Sequence, residues 1–297
     1  MSIAIITDDT CDLPIEYIKK YNITIIPTKV IFSDKVFCSC GVDGELTLDE
    51  YYSRAIYELP TTSTPSPGII HKCFECALQK VDSAIGIFLS DHLSPIAPNA
   101  KVVVNQHFPD KEISIYNSNV TGVGLASVVL EAAIMAQNGH SFDEINTKIV
   151  EWLSQVNYAG IMFTLENLVR TGRVPKTKKF LADFFKVKPI VEFVDGQISV
   201  QGKIRADDEL IIRQMKKFGS LALKNLNGES DYLFIGHTRW PEAAEQIAFY
   251  MKENNPKGKK IIIQETGSIV ANFVGSKTLT IGYIGAFNKD WLLDTKH

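Results

Sequence analysis

Apolar residues follow two rhythms along this chain. Short continuous runs end in polar loops, and three- and four-residue steps fill the stretches between them. Ile3 to Thr7 is a run of the first kind and suits a strand buried on both faces of a parallel sheet. It ends in Asp8-Asp9-Thr10-Cys11-Asp12. Pro14 then opens a helix through Tyr21, a first turn being where proline is tolerated. Thr24 to Phe32, rich in Ile and Val, predicts a second strand. Ser33 to Leu46, with Gly41 and Gly44, reads as a loop, and Thr47-Leu48-Asp49-Glu50 has the capping-box form that starts a helix to about Tyr57.

Pro60-Thr61-Thr62-Ser63-Thr64-Pro65-Ser66-Pro67-Gly68 sets five hydroxyl side chains among three prolines. Ile69, Ile70, Cys73, Phe74, Ala77, Leu78 and Val81 follow at helical steps. The hydroxyls therefore sit on a loop feeding a helix N-terminus, where free N–H groups and the helix dipole favour an anion. Ser and Thr are also ordinary capping residues, and on this stretch alone capping is the better-supported reading. Ala84 to Leu89 is a third strand, ending in Ser90-Asp91-His92-Leu93-Ser94-Pro95 before a helix over Ala97 to Gln106. Glu112 to Tyr116 is a fourth. Thr121-Gly122-Val123-Gly124 leads into a long apolar helix through Gln137, its glycines allowing close packing on a sheet. Gly139 stops it, and Ser141-Phe142-Asp143-Glu144 caps a helix to about Val156. Strands alternating with helices imply a parallel sheet with helices on both faces, and in such sheets ligands gather at the strands' C-terminal ends.

The texture changes near Asn157. Tyr158 to Thr164 predicts a strand, Leu165 to Thr171 a short helix closed by Gly172, and Lys176 to Phe185 a further helix. Val187 to Val194 and Gln197 to Gly202 flank Asp195-Gly196, a strong hairpin signal. Then come a helix (Asp207 to Leu226), a strand (Tyr232 to His237), a helix from Pro241, and strands over Lys259 to Gln264 and near Thr278 to Phe287. The expected organisation is an N-terminal α/β domain over residues 1–157 and a C-terminal α+β domain over residues 158–297.

Composition narrows the function. Of 297 residues 45% are apolar, enough for a packed core, and 31 basic against 34 acidic side chains give −3 with no basic run. Nucleic acid is disfavoured as a partner. No stretch has the length of a membrane span and the N-terminus lacks a signal-peptide pattern, so a soluble, cytoplasmic protein is expected. Cys11, Cys38, Cys40, Cys73 and Cys76 read as reduced structural thiols. Cys38-x-Cys40 and Cys73-x-x-Cys76 lack the glycine context of a zinc site, and His71, His92, His107, His140 and His237 have no ligand spacing, so no metal is expected. There is no phosphate loop and no Gly-x-Ser-x-Gly nucleophile setting, so neither a catalytic group nor a cofactor is expected.

With these pieces placed, the chain resembles the DegV family of bacterial fatty-acid-binding proteins. Thr7-Asp8-Asp9-Thr10-Cys11-Asp12-Leu13-Pro14 is similar to its opening T-D-S-(S/T)-x-D-L-P, and Thr62-Ser63-Thr64-Pro65-Ser66 to T-S-Q-P-S. Leu89 to Ser94 is similar to L-S-S-x-L-S, and Thr164 to Val174 to T-L-E-Y-L-x-x-G-G-R-I. Val187-Lys188-Pro189-Ile190 and Lys203-Ile204-Arg205 fit later landmarks. The order and spacing of these motifs carry the resemblance along nearly the whole chain.

The resemblance implies two domains with a lipid tunnel between or beneath them. It implies a long-chain fatty acid whose carboxylate is held by Thr62 and Ser94, with Arg173 in the polar network around it. It also implies a fatty acid kinase as partner, the protein itself being a non-enzymatic carrier. A divergent member with another small anionic or apolar ligand and a regulatory role is the alternative. Two departures stand out: Pro95-Ile96-Ala97 replaces Gly-Thr-Tyr after Ser94, and Phe273 falls where the family carries a histidine thought to touch the head group. The first removes an N–H from beside the anion and restricts Ser94's backbone; the second bears on acyl phosphate handling, not on lipid binding. Asn272 is a neighbouring substitute for that histidine, and His92, in the Ser94 loop, is the histidine to watch. Asp207-Asp208-Glu209 reads as solvated charge.

Overall fold

The computed structural model describes residues 3–39, 46–177, 187–255 and 258–293. A first, fully parallel sheet has the order β2 (Thr24–Ile26), β1 (Ile3–Asp8), β6 (Ser83–Phe88), β7 (Glu112–Asn117). The chain leaves β1 towards one edge and later continues from β6 towards the other, so the gap between the C-terminal ends of β1 and β6 is a topological switch point. All six residues of β6 are buried, as expected of a central strand covered on both faces. Helices α3 (Pro67–Ala77) and α4 (Ile96–His107) pack together against this sheet. Helix α5 (Gly122–Gln137) packs against it as well, backed by α6 (Phe142–Leu153). The Ser141 capping box forms as the sequence predicts.

A second, mixed sheet has the order β10 (Gln197–Ile204), β9 (Lys188–Val194), β8 (Val156–Ile161), β13 (Leu279–Ile284), β11 (Tyr232–His237), β12 (Lys260–Glu265). Its only parallel pair is β11 with β12. Helix α8 (Asp208–Lys224) and helix α9 (Pro241–Glu253) cover one face. Helix α5 lies between the two sheets, and every residue from Gly122 to Ala133 is buried. A helix apolar on nearly every side has no solvent face to offer, so this one sits where both sheets bury it, its Glu131 accepting from Ser230 Oγ and Asp231 N–H. Its first turn meets the second sheet almost backbone to backbone. A Cβ on Gly282 would fall 2.3 Å from the Val123 carbonyl, and Gly122, at φ +55, has Tyr158 at 3.0 Å from where its Cβ would be.

Several expectations are corrected. The strand expected over Thr24 to Phe32 is two strands. Pro27 supplies no ladder N–H, and after it the chain leaves the first sheet for a small antiparallel one of order β4 (Val36–Ser39), β3 (Thr28–Ile31), β5 (Thr61–Ser63). Thus the loops expected over Ser33 to Leu46 and Pro60 to Gly68 each contain a strand, while Gly41, Gly44 and Cys40 lie outside the described residues. The helix expected over Lys176 to Phe185 also lies outside them, save Lys176 and Thr177, which carry no regular structure. Helix α2 (Leu48–Ala55) and helix α7 (Glu166–Thr171) lie where the capping box and Gly172 put them. Helices α10 (Ser268–Val274) and α11 (Asp290–Leu293) were not expected. Asp195 and Gly196 take φ +48 and +78, the two positive values of a type I′ hairpin turn.

Candidate functional site

A cavity of about 110 Å³ opens at the switch point. Leu89 and Ile96 close it from the first sheet's side, and Tyr158, Met162, Val191 and Phe193 from the second sheet's. Leu168 of α7 and Ile269, Val270 and Val274 of α10 complete an apolar wall. Thr10, Thr28, Thr62, Ser63, Thr64, Ser94 and Thr121 also line it, as does the buried Glu192, whose Oε2 has no hydrogen-bond partner among the described residues. All three residues singled out from sequence, Thr62, Ser94 and Arg173, border this one hollow although they come from three separate segments.

The N-cap places next to the two hydroxyls are filled by other residues. Ser66 is the N-cap of α3 and accepts from Ile69 N–H at 3.4 Å, while Thr62 lies on β5 opposite Val30. The N-cap place of α4 belongs to Pro95, not Ser94. Among the described residues neither the Thr62 nor the Ser94 hydroxyl makes a hydrogen bond, so both protons are free to donate into the cavity.

Arg173 serves helix and cavity together. Its Nη1 donates to the Thr171 carbonyl at 2.6 Å, at the C-terminus of α7 where a cation is favoured. Nη2 reaches the Leu93 carbonyl at 3.4 Å, next to Ser94, and the guanidinium lies 4.6 Å from the centroid of the Phe273 ring. Among the described residues no carboxylate pairs with it. Burial lowers its pKa, but guanidinium remains a cation. Phe273 thus lies at the cavity as a flat apolar support for Arg173. Asn272 does not stand in for a histidine there. Its Nδ2 donates to the Pro60 carbonyl at 3.1 Å, which anchors the start of β5. His92 is exposed and does not line the cavity, and His237 accepts from Trp240 N–H at 3.3 Å, the local hydrogen bond expected of it.

Sequence reasoning missed what the carboxylates of the opening loop hold, although none of the three lines the cavity. Asp8 accepts from Thr10 N–H (2.9 Å), Thr10 Oγ1 (2.5 Å) and Leu89 N–H (2.8 Å), tying the ends of β1 and β6. Asp9 accepts from Thr28 N–H and Thr28 Oγ1, both at 2.6 Å. Asp12 accepts from Gly267 N–H at 2.9 Å, fixing the entry to α10. Burial raises all three carboxyls, Asp12 to about 7. The run Asp8-Asp9-x-x-Asp12 was legible as a polar loop, but apart from Thr10 its partners are 19 to 255 positions away in sequence. Helix α10 has no Ser, Thr or Asp at its N-cap, only Gly267, and so lacked a start signal. Among the described residues no three His, Cys, Asp or Glu side chains gather at metal-ligating geometry, and no helix is long and apolar enough to cross a membrane.

Comparison with known proteins gives four findings of consequence. The family model described as "Uncharacterised protein, DegV family" matches residues 2–286. A DegV domain-containing protein of Clostridium perfringens is 32% identical over 251 residues, covering 82% of this chain and 85% of that one. Among solved structures, DegV of Bacillus subtilis, described as a fatty acid binding protein, superposes with a TM-score of 0.83 at 25% identity, covering 96% of this chain and all of that one. The Streptococcus pneumoniae Fatty Acid Kinase (Fak) B3 protein loaded with linoleic acid superposes with a TM-score of 0.80 at 18% identity, covering 96% and 100%. At that identity the second likeness is one of fold.

Proposed function

Because this chain belongs to the DegV family, we propose that it binds a long-chain fatty acid in the cavity beneath Thr62 and Ser94 and presents it to a fatty acid kinase. The observation that carries the reading is a cation and two free hydroxyl donors on one apolar hollow, none of them satisfied by a protein anion. A buried carboxylate must be matched by donors, since an unpaired buried charge is very costly. Thr62 Oγ1, Ser94 Oγ and the Arg173 guanidinium supply charge-assisted hydrogen bonds without a metal. The acyl chain gains about 0.8 kcal/mol per buried methylene, on the order of 10 kcal/mol for a palmitate-length chain before ordering costs. Affinity therefore resides in the tail and orientation in the head.

The carrier role draws its support from the fold shared with the linoleate-loaded Fak B3 protein. Phe273 separates binding from transfer. An apolar ring at this place holds Arg173 but offers no proton to an acyl phosphate. Binding is tested by extracting the purified protein for lipid mass spectrometry and by titrating the stripped protein with palmitate. The Thr62→Ala, Ser94→Ala double variant should lose at least about tenfold in affinity, two charge-assisted hydrogen bonds being removed, with its melting temperature nearly unchanged. Equal affinity in that variant would sink the site assignment. Acyl phosphate formation with a fatty acid kinase and ATP is scored separately, as a test of the carrier role alone.

A further inference from the structure

Part of the cavity's polar rim has no use in gripping a carboxylate. Thr28, the first residue of β3, lines the cavity and is 9% exposed. Its Oγ1 donates to Asp9 Oδ1 at 2.6 Å while its N–H donates to Asp9 Oδ2 at 2.6 Å. Asp9 is only half-buried, and two donors on its two oxygens favour the charged carboxylate against the burial that raises it. Asp9 also borders a second hollow of mixed lining, where Asp12, Gln264 and Glu265 face Leu13, Ile18 and Ile25. A threonine hydroxyl has one proton and two lone pairs. With its proton committed to Asp9, Thr28 offers the cavity lone pairs only. Thr10 is committed to Asp8 in the same way.

Register places this acceptor beside the donors. Val30 pairs with Thr62 and Lys29 with Ser63, so the Thr28 and Thr62 side chains leave the same face of the sheet as diagonal neighbours, roughly 7 Å apart. A carboxylate seated on Thr62, Ser94 and Arg173 gains nothing from Thr28, because oxygen lone pairs would face each other. A hydroxyl one or two carbons beyond the carboxylate spans that separation and donates its proton to Thr28 Oγ1. Asp9 stands where the opening motif T-D-S-(S/T)-x-D-L-P has serine, so the carboxylate that polarises Thr28 is a feature of this chain. The backbone bond from Thr28 N–H already ties the strand to Asp9, so the side-chain hydroxyl is not needed to hold β3 in place.

We propose that the Asp9–Thr28 pair is a hydroxyl-recognition subsite and that the preferred ligand of this chain is a long-chain fatty acid hydroxylated at its second or third carbon. This rests on the fatty-acid reading given above, and the experiment separates the two. The stripped full-length protein is titrated with palmitic acid and with its 2-hydroxy and 3-hydroxy derivatives. One hydroxy acid should bind about tenfold more tightly than palmitate, the worth of one hydrogen bond to a buried acceptor that would otherwise stay unpaired. Thr28→Val should bring that ratio to about one while palmitate affinity stays within about threefold, and Thr28→Ser should keep the preference. A wild-type ratio near one overturns the subsite without any variant, as does a ratio that survives Thr28→Val. If none of the three acids binds, the fatty-acid reading falls and takes the subsite with it. If all bind alike, only the subsite falls.

Discussion

Arg173 is held by three different attractions: a carbonyl at the end of its own helix, a carbonyl beside Ser94, and the face of Phe273. Planarity lets one guanidinium satisfy all three, and lysine has neither the fork nor the flat face. Arg173→Lys should therefore weaken palmitate binding by about tenfold although the charge is kept, and Arg173→Ala by more. A lysine variant that binds like wild type in a titration would show that charge alone acts here. The sequence supplied Thr62, Ser94 and Arg173 through motifs that survive divergence. It was mute on Thr28, because nothing local distinguishes a cavity-lining threonine from a strand threonine. Asp9 was visible as a letter departing from a pattern, while its partner lay 19 positions on, past a proline that ended one strand and began another.

At the scale of elements, the periodic and capped segments were legible. Helix α5 was predicted from Gly122 to Gln137 and forms over that span, and the Asp195-Gly196 turn set the β9–β10 hairpin. Elements of three to seven residues were not, since β4, β5 and α10 are too short to be stable without their neighbours. The glycines at the head of α5 were read as a close-packing device, but the residue that completes the contact is Gly282 on β13. Backbone stands on both sides there, so an added methyl has no flexible side chain to displace. Gly282→Ala should cost about 1–3 kcal/mol in urea unfolding, as overpacking does, and a variant as stable as wild type would mean α5 can slide freely on the sheet.

At the scale of the whole molecule, Asp12 joins the loop after the first sheet's leading strand to the entry of α10, whose Ile269, Val270 and Val274 wall the cavity. Burial raises its carboxyl from 3.8 to about 7, so the folded protein holds a proton that the unfolded chain releases near pH 4. Stability must then fall as pH rises from about 4 to about 7, by at most about 1.4 kcal/mol per pH unit from this group. Asn at position 12 keeps an oxygen for the Gly267 N–H and has no proton to release. Asp12→Asn should flatten the slope between about pH 4 and pH 7 and raise stability at pH 7.5, read from urea midpoints across that range. An unchanged slope would place the proton uptake elsewhere. Apolar rhythm, caps and turn residues determined the elements, and motif order determined the family, because both are written in short-range spacing. Which hydroxyls keep a proton to give, which have lost theirs to a buried carboxylate, and where the hollow lies were decided by tertiary structure alone. Those properties arise only when segments remote in sequence share one low-dielectric space.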